Sequence, residues 1–110
     1  MSYIIVLVTT GTREEAKKIT RSLLDQKLIA CANILGPVSS LFWWKERINQ
    51  ENEFLVLMKT RSSLFKNLAT TIKQMHSYEV PEIIGVPITK GEQSYLEWLN
   101  DSLRKGEDHG

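Results

Sequence analysis

The residues best suited to chemistry lie in one short segment, between positions 76 and 82. His76 is followed by Glu79 and Glu82, and a histidine with carboxylates nearby can bind a divalent metal ion or transfer a proton. The one other histidine is His109, and no H-x-x-x-H or C-x-x-C spacing supplies three ligands from one chain. Two interpretations stay open: a metal site completed by other chains, or a histidine that simply ends a helix at the surface.

Two further segments have simpler explanations than a functional one. Cys31 lies between two alanines, without a charged neighbour in sequence, which predicts a buried and inert thiol. Residues 9–12 read Thr-Thr-Gly-Thr between a predicted strand and a predicted helix, where phosphate could bind. One glycine is too little for a phosphate loop, and helix capping already accounts for these residues.

The remaining carboxylates and the serines do not indicate an enzyme. Glu46, Glu51 and Glu53 fall near a predicted hairpin tip, where exposed charges favour solubility. No serine occupies a G-x-S-x-G motif, and two histidines leave little material for a hydrolytic triad. We therefore expect no catalytic activity.

Composition limits the class of protein. The chain has 110 residues, 42% hydrophobic and 25% charged, which predicts one globular domain over residues 1–110. Fourteen basic and thirteen acidic residues give a net charge of +1, so no strong field attracts nucleic acid or an anionic membrane. The apolar run at residues 3–8 is far shorter than the roughly 20 residues of a membrane span. A single cysteine fits a reducing compartment, and we therefore expect the protein to be located in the cytoplasm.

Hydrophobic periodicity predicts the elements that position these residues. Residues 3–8 are apolar and β-branched, which indicates a buried strand. Thr12 and Glu15 form an S/T-x-x-E capping box, in which each side chain satisfies a free backbone donor of the other residue. A helix therefore begins there, and its apolar residues are Ala16, Ile19, Leu23 and Leu24.

A long antiparallel hairpin is predicted next. Residues 29–48 lack helical periodicity and are interrupted by Gly36-Pro37, which predicts a bulged or bent strand. Residues 49–52 read Asn-Gln-Glu-Asn and have the chemistry of a turn. We place the turn there, before the apolar strand of residues 53–60.

The rest of the chain predicts two helices around a fourth strand. Ser62 is the predicted N-cap of a helix that runs to His76. Residues 83–88 follow Val80-Pro81 and read as a strand whose Pro87 belongs at a sheet edge. In the last helix, residues 93–103, the side chains expected to face inward are Tyr95, Trp98, Leu99 and Leu103.

The order of these elements predicts an α+β, ferredoxin-like domain, β-α-β-β-α-β plus a C-terminal helix. Trp43 and Trp44 are adjacent on a strand, so their indoles point to opposite faces of the sheet, and two helices cover only one face. We therefore predict an oligomer that covers the other indole. The alternative is that the bulge or the terminal helix buries both.

Five separated segments resemble, in order, the signatures of the CutA divalent-cation tolerance family. They span nearly the whole chain and are residues 28–33 (LIACAN), Trp44, Lys59-Thr60, residues 76–83 (HSYEVPEI) and residues 95–99 (YLEWL). The resemblance implies a ferredoxin-like homotrimer with an arrangement similar to that of PII signalling proteins. It also implies a role in tolerance of copper and other divalent cations, without an established reaction.

The chain departs from the family pattern at several positions. His76 matches the histidine of the family's H-P-Y-E-V-P-E motif, but Ser77 stands where proline is usual. Members proposed to bind copper have a cysteine where this chain has Thr9 and a further histidine where Met75 stands. The copper site of those members therefore does not transfer intact.

Three functions follow as alternatives. The first is binding of a divalent metal ion, copper first, by His76, Glu79 and Glu82. The second is a PII-like sensor that binds a small molecule between subunits through Trp44, Lys59, Tyr78 and Glu79. The third is a trimeric scaffold for a protein partner. The predicted partners are thus further copies of the chain and divalent cations.

Overall fold

Four strands and three helices follow one another in the predicted order. The computed structural model describes residues 2–105, so His109 lies outside the described residues. The elements are β1 (Tyr3–Thr10), α1 (Arg13–Asp25), β2 (Cys31–Trp44), β3 (Arg47–Arg61), α2 (Phe65–Met75), β4 (Ile83–Pro87) and α3 (Gln93–Asp101), with a short 3-10 turn at Ser62–Leu64 before α2.

The strands form one antiparallel sheet in the order β2-β3-β1-β4. This order confirms the predicted α+β, ferredoxin-like domain. β4 is an edge strand, and Pro87 pairs with Ile4 at its end. Proline is tolerated at that position because an edge strand has no second neighbour that needs its missing N–H.

The core lies between one face of the sheet and the helices α1 and α2. Alternate residues of β1 and β3 point into it, as the two-residue period of a strand requires. The buried residues include Val6, Val8, Val56, Met58, Ile19, Leu23, Leu68 and Ile72. The opposite face carries the other set of strand residues, among them the exposed Ile84 and Val86 of β4.

β2 has the predicted irregularity at Gly36-Pro37. The pairing with β3 shifts register between Leu35 and Val38, and the Gly36-Pro37 peptide is cis. Beyond this bulge, residues 38–44 pair with residues 47–53, while β1 pairs with β3 only from Phe54 onwards. Residues 38–53 therefore form a two-stranded ribbon that extends past β1, and we call it the hairpin arm.

The predicted turn at residues 49–52 is wrong. The chain reverses at Lys45 and Glu46, both with positive φ, 52° and 63°, in a two-residue loop between Trp44 and Arg47. Loops with two positive-φ residues match the twist of the flanking strands. Asn49 lies inside β3, where its side-chain amide donates to the carbonyls of Trp44 at 3.2 Å and Arg47 at 3.1 Å. Asn49 is therefore not part of the turn, but its side chain stabilises the turn from its position in β3.

Helix starts are confirmed in part. The Thr12 hydroxyl accepts from the Glu15 N–H at 3.1 Å, as a capping box requires. The Glu15 carboxylate does not return to Thr12 and binds Ser77 instead. The predicted Ser62 cap is wrong, because the 3-10 turn precedes α2 and the Ser62 hydroxyl contacts that of Ser2 at 2.7 Å.

α3 is anchored through fewer residues than the sequence pattern predicts. Leu99 and Leu103 are buried, whereas Tyr95 and Trp98 remain substantially exposed. The helix is capped by Glu92, whose carboxylate accepts from the N–H groups of Ser94 and Tyr95. Within residues 2–105, no helix is long and apolar enough to cross a membrane.

Candidate functional site

His76 follows directly on α2, and its side chain is 0% exposed. Nε2 lies 2.7 Å from the carbonyl oxygen of Thr9, and Nδ1 lies 3.0 Å from the backbone nitrogen of Tyr78. Because the Tyr78 N–H can only donate, Nδ1 is the acceptor and Nε2 carries the proton. These hydrogen bonds fit the Nε2–H tautomer, and they use both ring nitrogens.

Ser77 fastens the next part of the segment to α1. Its N–H donates to Glu15 Oε2 at 2.8 Å, and its hydroxyl donates to Glu15 Oε1 at 3.0 Å. A proline at this position would lack both donors. The departure from the family pattern therefore adds two contacts that hold the loop.

Tyr78 links this segment to β3. Its hydroxyl donates to Glu53 Oε2 at 2.6 Å, and its ring lies 4.7 Å from the His76 ring, centroid to centroid. Burial, then the hydrogen bond to Glu53, raise the pKa of Tyr78, so the phenol stays a neutral donor. Glu53 is itself buried and is thus a carboxylate held in place by this donor.

A cleft of about 830 Å³ lies beside this segment. One wall is residues 40–44 of the hairpin arm, the other is residues 78–82, and Thr9 and Glu53 complete the lining. Among the described residues that line it, three are carboxylates and none is lysine, arginine or histidine. Burial, then the nearby Glu53, raise the pKa of Glu82. The cleft is therefore an acidic site with an aromatic wall.

Comparison with known proteins gives the family. The model of the CutA1 divalent ion tolerance protein family matches residues 4–102. The chain belongs to this family. Protein CutA, chloroplastic, of Arabidopsis thaliana is 42% identical over 101 residues, and the match covers 92% of this chain and 56% of that protein. The chain thus spans little more than half the length of this plant CutA.

Archaeal and plant CutA proteins agree with this assignment. The divalent-cation tolerance protein CutA of Archaeoglobus fulgidus is 39% identical over 98 residues, covering 89% of this chain and 95% of that protein. The crystal structure of CutA1 from Oryza sativa superimposes with a TM-score of 0.93 at 39% identity, covering 96% of this chain and 97% of the other. The fold is therefore that of the CutA1 structures.

Only some of the predicted site residues line the cleft. Trp44, Tyr78, Glu79 and Glu82 line the cleft. His76 is not among the lining residues and lies behind Tyr78 as its hydrogen-bond partner. The cleft thus contains carboxylates and aromatic rings of the predicted set, without its histidine.

Lys59 also lies apart from the cleft, under α3. Its Nζ donates to the Tyr95 hydroxyl at 3.1 Å, and this hydrogen bond raises the pKa of Lys59. Cys31 is the cross-strand partner of Lys59, and its Sγ lies 3.6 Å from the same hydroxyl. Cys31 is half-buried, which corrects the prediction of a buried thiol.

Glu53 is the site residue that the sequence pattern missed. A turn at residues 49–52 would place it at a solvated hairpin tip. With the turn at residues 45–46, Glu53 lies seven positions into β3, where it pairs with Val38 and is buried. The burial of Glu53 can be recognised only once the register of β2 and β3 is known.

The predicted metal ligands do not form a CutA metal site within one chain. The ring nitrogens of His76 are both engaged, because Nε2 donates to Thr9 and Nδ1 accepts from Tyr78. Over residues 2–105, no group of three or more His, Cys, Asp or Glu side chains could hold a metal ion. The cleft carboxylates remain as oxygen donors, and a complete ligand set would need groups from another chain.

Proposed function

We propose that this CutA protein is a cytoplasmic homotrimer that acts in divalent-cation tolerance and catalyses no reaction. The observation that supports a cation role is the cleft, whose described lining includes Glu53, Glu79 and Glu82 and no basic residue. Relatives that match nearly end to end are divalent-cation tolerance proteins by name.

The metal ion in this proposal binds oxygen rather than imidazole nitrogen. Carboxylates suit divalent cations, and a cation would relieve the repulsion between Glu53 and Glu82 that contributes to the raised pKa of Glu82. Cu²⁺ is the ion we propose first, because it has the highest affinity of the divalent first-row metals for a given site. Its remaining ligands would come from a neighbouring copy of the chain.

Exposed apolar side chains support assembly. Monomeric proteins rarely leave large contiguous apolar surfaces open. Here they occur on the hairpin arm and on the sheet face opposite α1 and α2, and the larger ones are Leu41, Trp43, Trp44, Ile48, Ile84 and Val86. Trp43 and Trp44 are 71% and 48% exposed, so the alternative in which the chain itself buries both indoles is wrong. A contact between the arm of one copy and a different surface of the next can close into a ring.

Calorimetric titration of the metal-free protein with Cu²⁺ tests the metal proposal. We expect an E79Q/E82Q double variant to bind at least about tenfold more weakly, since two charged ligands are lost. H76Q should weaken binding less than the double variant, because His76 contacts the cleft only through Tyr78. E97Q, in an exposed carboxylate of α3, is the matched control. Loss of binding in H76Q with retention in the double variant would make the histidine the ligand, and absence of wild-type binding at millimolar Cu²⁺ would refute the metal role.

Light-scattering mass tests the assembly. Three chains of 12.6 kDa give a mass near 38 kDa. A mass near that of one chain would contradict the homotrimer. The measurement is made on the metal-free protein, so that assembly and metal binding are judged separately.

A second function, PII-like binding of a small molecule, is favoured by the shape of the same cleft. A volume of about 830 Å³ lies within the range of small-molecule sites, roughly 300–1,000 Å³. A bare metal ion needs neither this volume nor an aromatic wall. A thermal-shift screen of charged metabolites tests this function, and a flat response across all of them would count against it.

A further inference from the structure

We propose that Arg13 is a positioning residue for assembly, because its side chain holds the base of the hairpin arm and so sets the direction in which the arm leaves the sheet. The inference rests on the proposed homotrimer, in which the arm contacts other copies of the chain. It does not depend on the metal role or on a ligand in the cleft.

The base of the arm is the place where the sheet narrows to two strands. β1 pairs with β3 as far as Thr10 and Phe54, and the register of β2 against β3 shifts between Leu35 and Val38. Beyond this place, the arm has no third strand from the described part of the chain. Two-stranded ribbons vary more in twist than wider sheets, so strand pairing alone determines the direction of the arm only weakly.

The Arg13 guanidinium contacts both strands at this base. Its Nη2 donates to the carbonyl oxygen of Gly36 in β2 at 3.2 Å. Its Cζ lies 4.8 Å from the centre of the Phe54 ring in β3, over the ring face. Gly36 lies against the same ring, because a side chain at this position would collide with it. Arg13 therefore connects both strands of the arm to α1.

The place of Arg13 in α1 is not explained by the helix itself. Arg13 is the first residue of α1, where a positive charge opposes the helix dipole. Glu14 and Glu15 in the same turn follow the favourable rule. A broken local rule in a native protein points to a role elsewhere in the molecule, and the contacts of Arg13 place that role at the base of the arm.

A small change of angle at the base becomes large at the tip of the arm. Residues 38–44 span roughly 23 Å as an extended strand, so a tilt of about 10° moves the tip by about 4 Å. Apolar side chains are in contact only when their atoms approach within about 4–4.5 Å. An arm whose direction is already set therefore loses less entropy on assembly than an arm that pivots.

Tyr78 and Glu53 form a competing anchor at the same base. The Tyr78 hydroxyl donates to Glu53, which lies in β3. This hydrogen bond holds one strand of the arm, whereas Arg13 contacts both. We therefore assign the direction of the arm to Arg13, and the test below asks whether the Tyr78 anchor is sufficient without it.

Amide hydrogen exchange of the full-length, metal-free protein tests the role of Arg13. We expect R13A to speed exchange in residues 38–44 and 47–53 at least about tenfold, while residues 4–8 of β1 change little. R13K keeps the charge and its attraction to the ring and should restore part of the protection. R21A removes a charge from the exposed side of the same helix and should leave the arm unchanged.

Two results of this experiment would overturn the proposal. Equal acceleration in the arm and in β1 would mean that R13A lowers the stability of the whole domain. Unchanged exchange in the arm would mean that the Tyr78 anchor is sufficient.

A double-mutant cycle tests whether Arg13 acts through the Phe54 ring. R13A should speed arm exchange less in an F54L background than in the wild type, because the contact with the ring is already lost there. Additive effects of the two substitutions would overturn the route through Phe54.

A second set of measurements separates the role of Arg13 from the homotrimer itself. Exchange is also read in an Ile84→Glu background, where a charge on the half-exposed sheet face should separate the copies. By light scattering, R13A should lose its trimeric mass at a lower urea concentration than R21A. The same early loss without faster arm exchange in the single chain would make Arg13 a direct contact between copies and overturn the proposal.

The two inferences can therefore fail independently. A single-chain mass for the wild type, with faster arm exchange in R13A, would refute the homotrimer and leave Arg13 as the residue that directs the arm. A trimeric mass with unchanged arm exchange in R13A would refute only the role of Arg13.

Discussion

Two hydrogen bonds hold His76, and their directions fix its tautomer. They bear on whether the histidine of the family motif coordinates a metal ion or supports the neighbouring residues. An imidazole that donates to Thr9 and accepts from Tyr78 has no free lone pair. It can, however, set the position of the Tyr78 backbone, and Tyr78 in turn holds the buried Glu53. At this residue the structure favours support of the cleft over coordination of a metal.

Tyr78→Phe is expected to destabilise the protein by about 1–3 kcal/mol, because the buried Glu53 carboxylate loses a hydrogen-bond donor. Urea denaturation at neutral pH measures this change in unfolding free energy. The pKa of Tyr78 is raised, so the folded state keeps the phenolic proton to a higher pH than the unfolded chain. The stabilisation that this proton provides is present below about pH 10 and falls as the pH rises further.

Ultraviolet absorbance of tyrosinate gives a second readout of the same prediction. The wild type should show a phenol that ionises late, and Tyr78→Phe should remove that phase. Tyr95→Phe, at a hydroxyl bound to Lys59, is the control and should keep it. Persistence of the late phase in Tyr78→Phe would contradict the assignment.

Glu82→Gln is expected to stabilise the metal-free protein slightly at pH 7. The raised pKa of Glu82 means that the folded state holds this proton more tightly than the unfolded chain. Stability therefore falls as the pH rises from about 4.3 through the folded pKa, and the full penalty applies at pH 7. Because the side chain is largely exposed, we expect a gain below about 1 kcal/mol.

Denaturation of wild type and Glu82→Gln across pH checks this expectation. The difference between them should shrink to zero below about pH 4. A variant that is less stable than the wild type at pH 7 would show that Glu82 makes a favourable contact there.

The candidate site was predictable where it is local in sequence. Residues 76–82 carry their chemistry within seven positions, and Glu79, Glu82 and Tyr78 do line the cleft. The surroundings of Glu53 and Lys59 differ from the prediction, because they depend on strand register and on the packing of α3. Such long-range geometry leaves no local sequence signal.

At the scale of elements, the hairpin arm is the least self-supporting part of the chain. Beyond the Gly36-Pro37 bulge, β2 and β3 pair only with each other among the described residues. The arm makes the molecule elongated, with extents of 43 × 27 × 25 Å. Within one chain, the order of the arm therefore depends on the pairing of its two strands and on the two-residue turn that joins them.

Replacing Lys45-Glu46 by Asn-Gly is expected to stabilise the protein by about 1 kcal/mol. Both residues have positive φ, which costs most L-residues about 1–2 kcal/mol each, whereas Asn and Gly adopt it readily. Chemical denaturation measures the gain. Gln50→Gly, inside β3 where the sequence pattern had placed the turn, should instead lose about 0.5–1 kcal/mol. The opposite signs would mean that the chain reverses at residues 49–52.

The elements themselves were largely predictable because their signals are periodic or stereochemical. The strand bulge, the start of α1 and the edge position of β4 all followed from proline, glycine and capping residues. The sequence pattern predicts more buried residues in α3 than the structure has. It marks Tyr95 and Trp98 as apolar positions of a helix, but it does not show what covers them. Their exposure in the single chain follows from a sheet face that one short helix covers only in part.

At the scale of the whole molecule, the sheet has one face packed and one face partly open. α1 and α2 cover the first, and the second presents apolar residues of β4 next to those of β1. The open face and the arm are the surfaces that the proposed homotrimer would bury. The predicted single domain over residues 1–110 stays a prediction.

Ile84→Glu is expected to dissociate the assembly, so that the light-scattering mass falls towards 12.6 kDa. Ile84 is half-exposed on the open face, so a charge costs the single chain little but would be buried between copies. Leu24→Glu is the matched control, because Leu24 is similarly exposed on α1. A trimeric mass in Ile84→Glu, or dissociation in both variants, would contradict an interface at this face.

The hairpin arm also bears on the order of folding. Its strands are joined by a two-residue loop, and such hairpins form in roughly microseconds, whereas β1 must find β4 across nearly the whole described chain. An isolated two-stranded ribbon is only marginally stable in water. In a homotrimer the arm would thus form early, but it would be stabilised only when it contacts the other copies. If that association is the slowest step of refolding, its rate would rise with protein concentration.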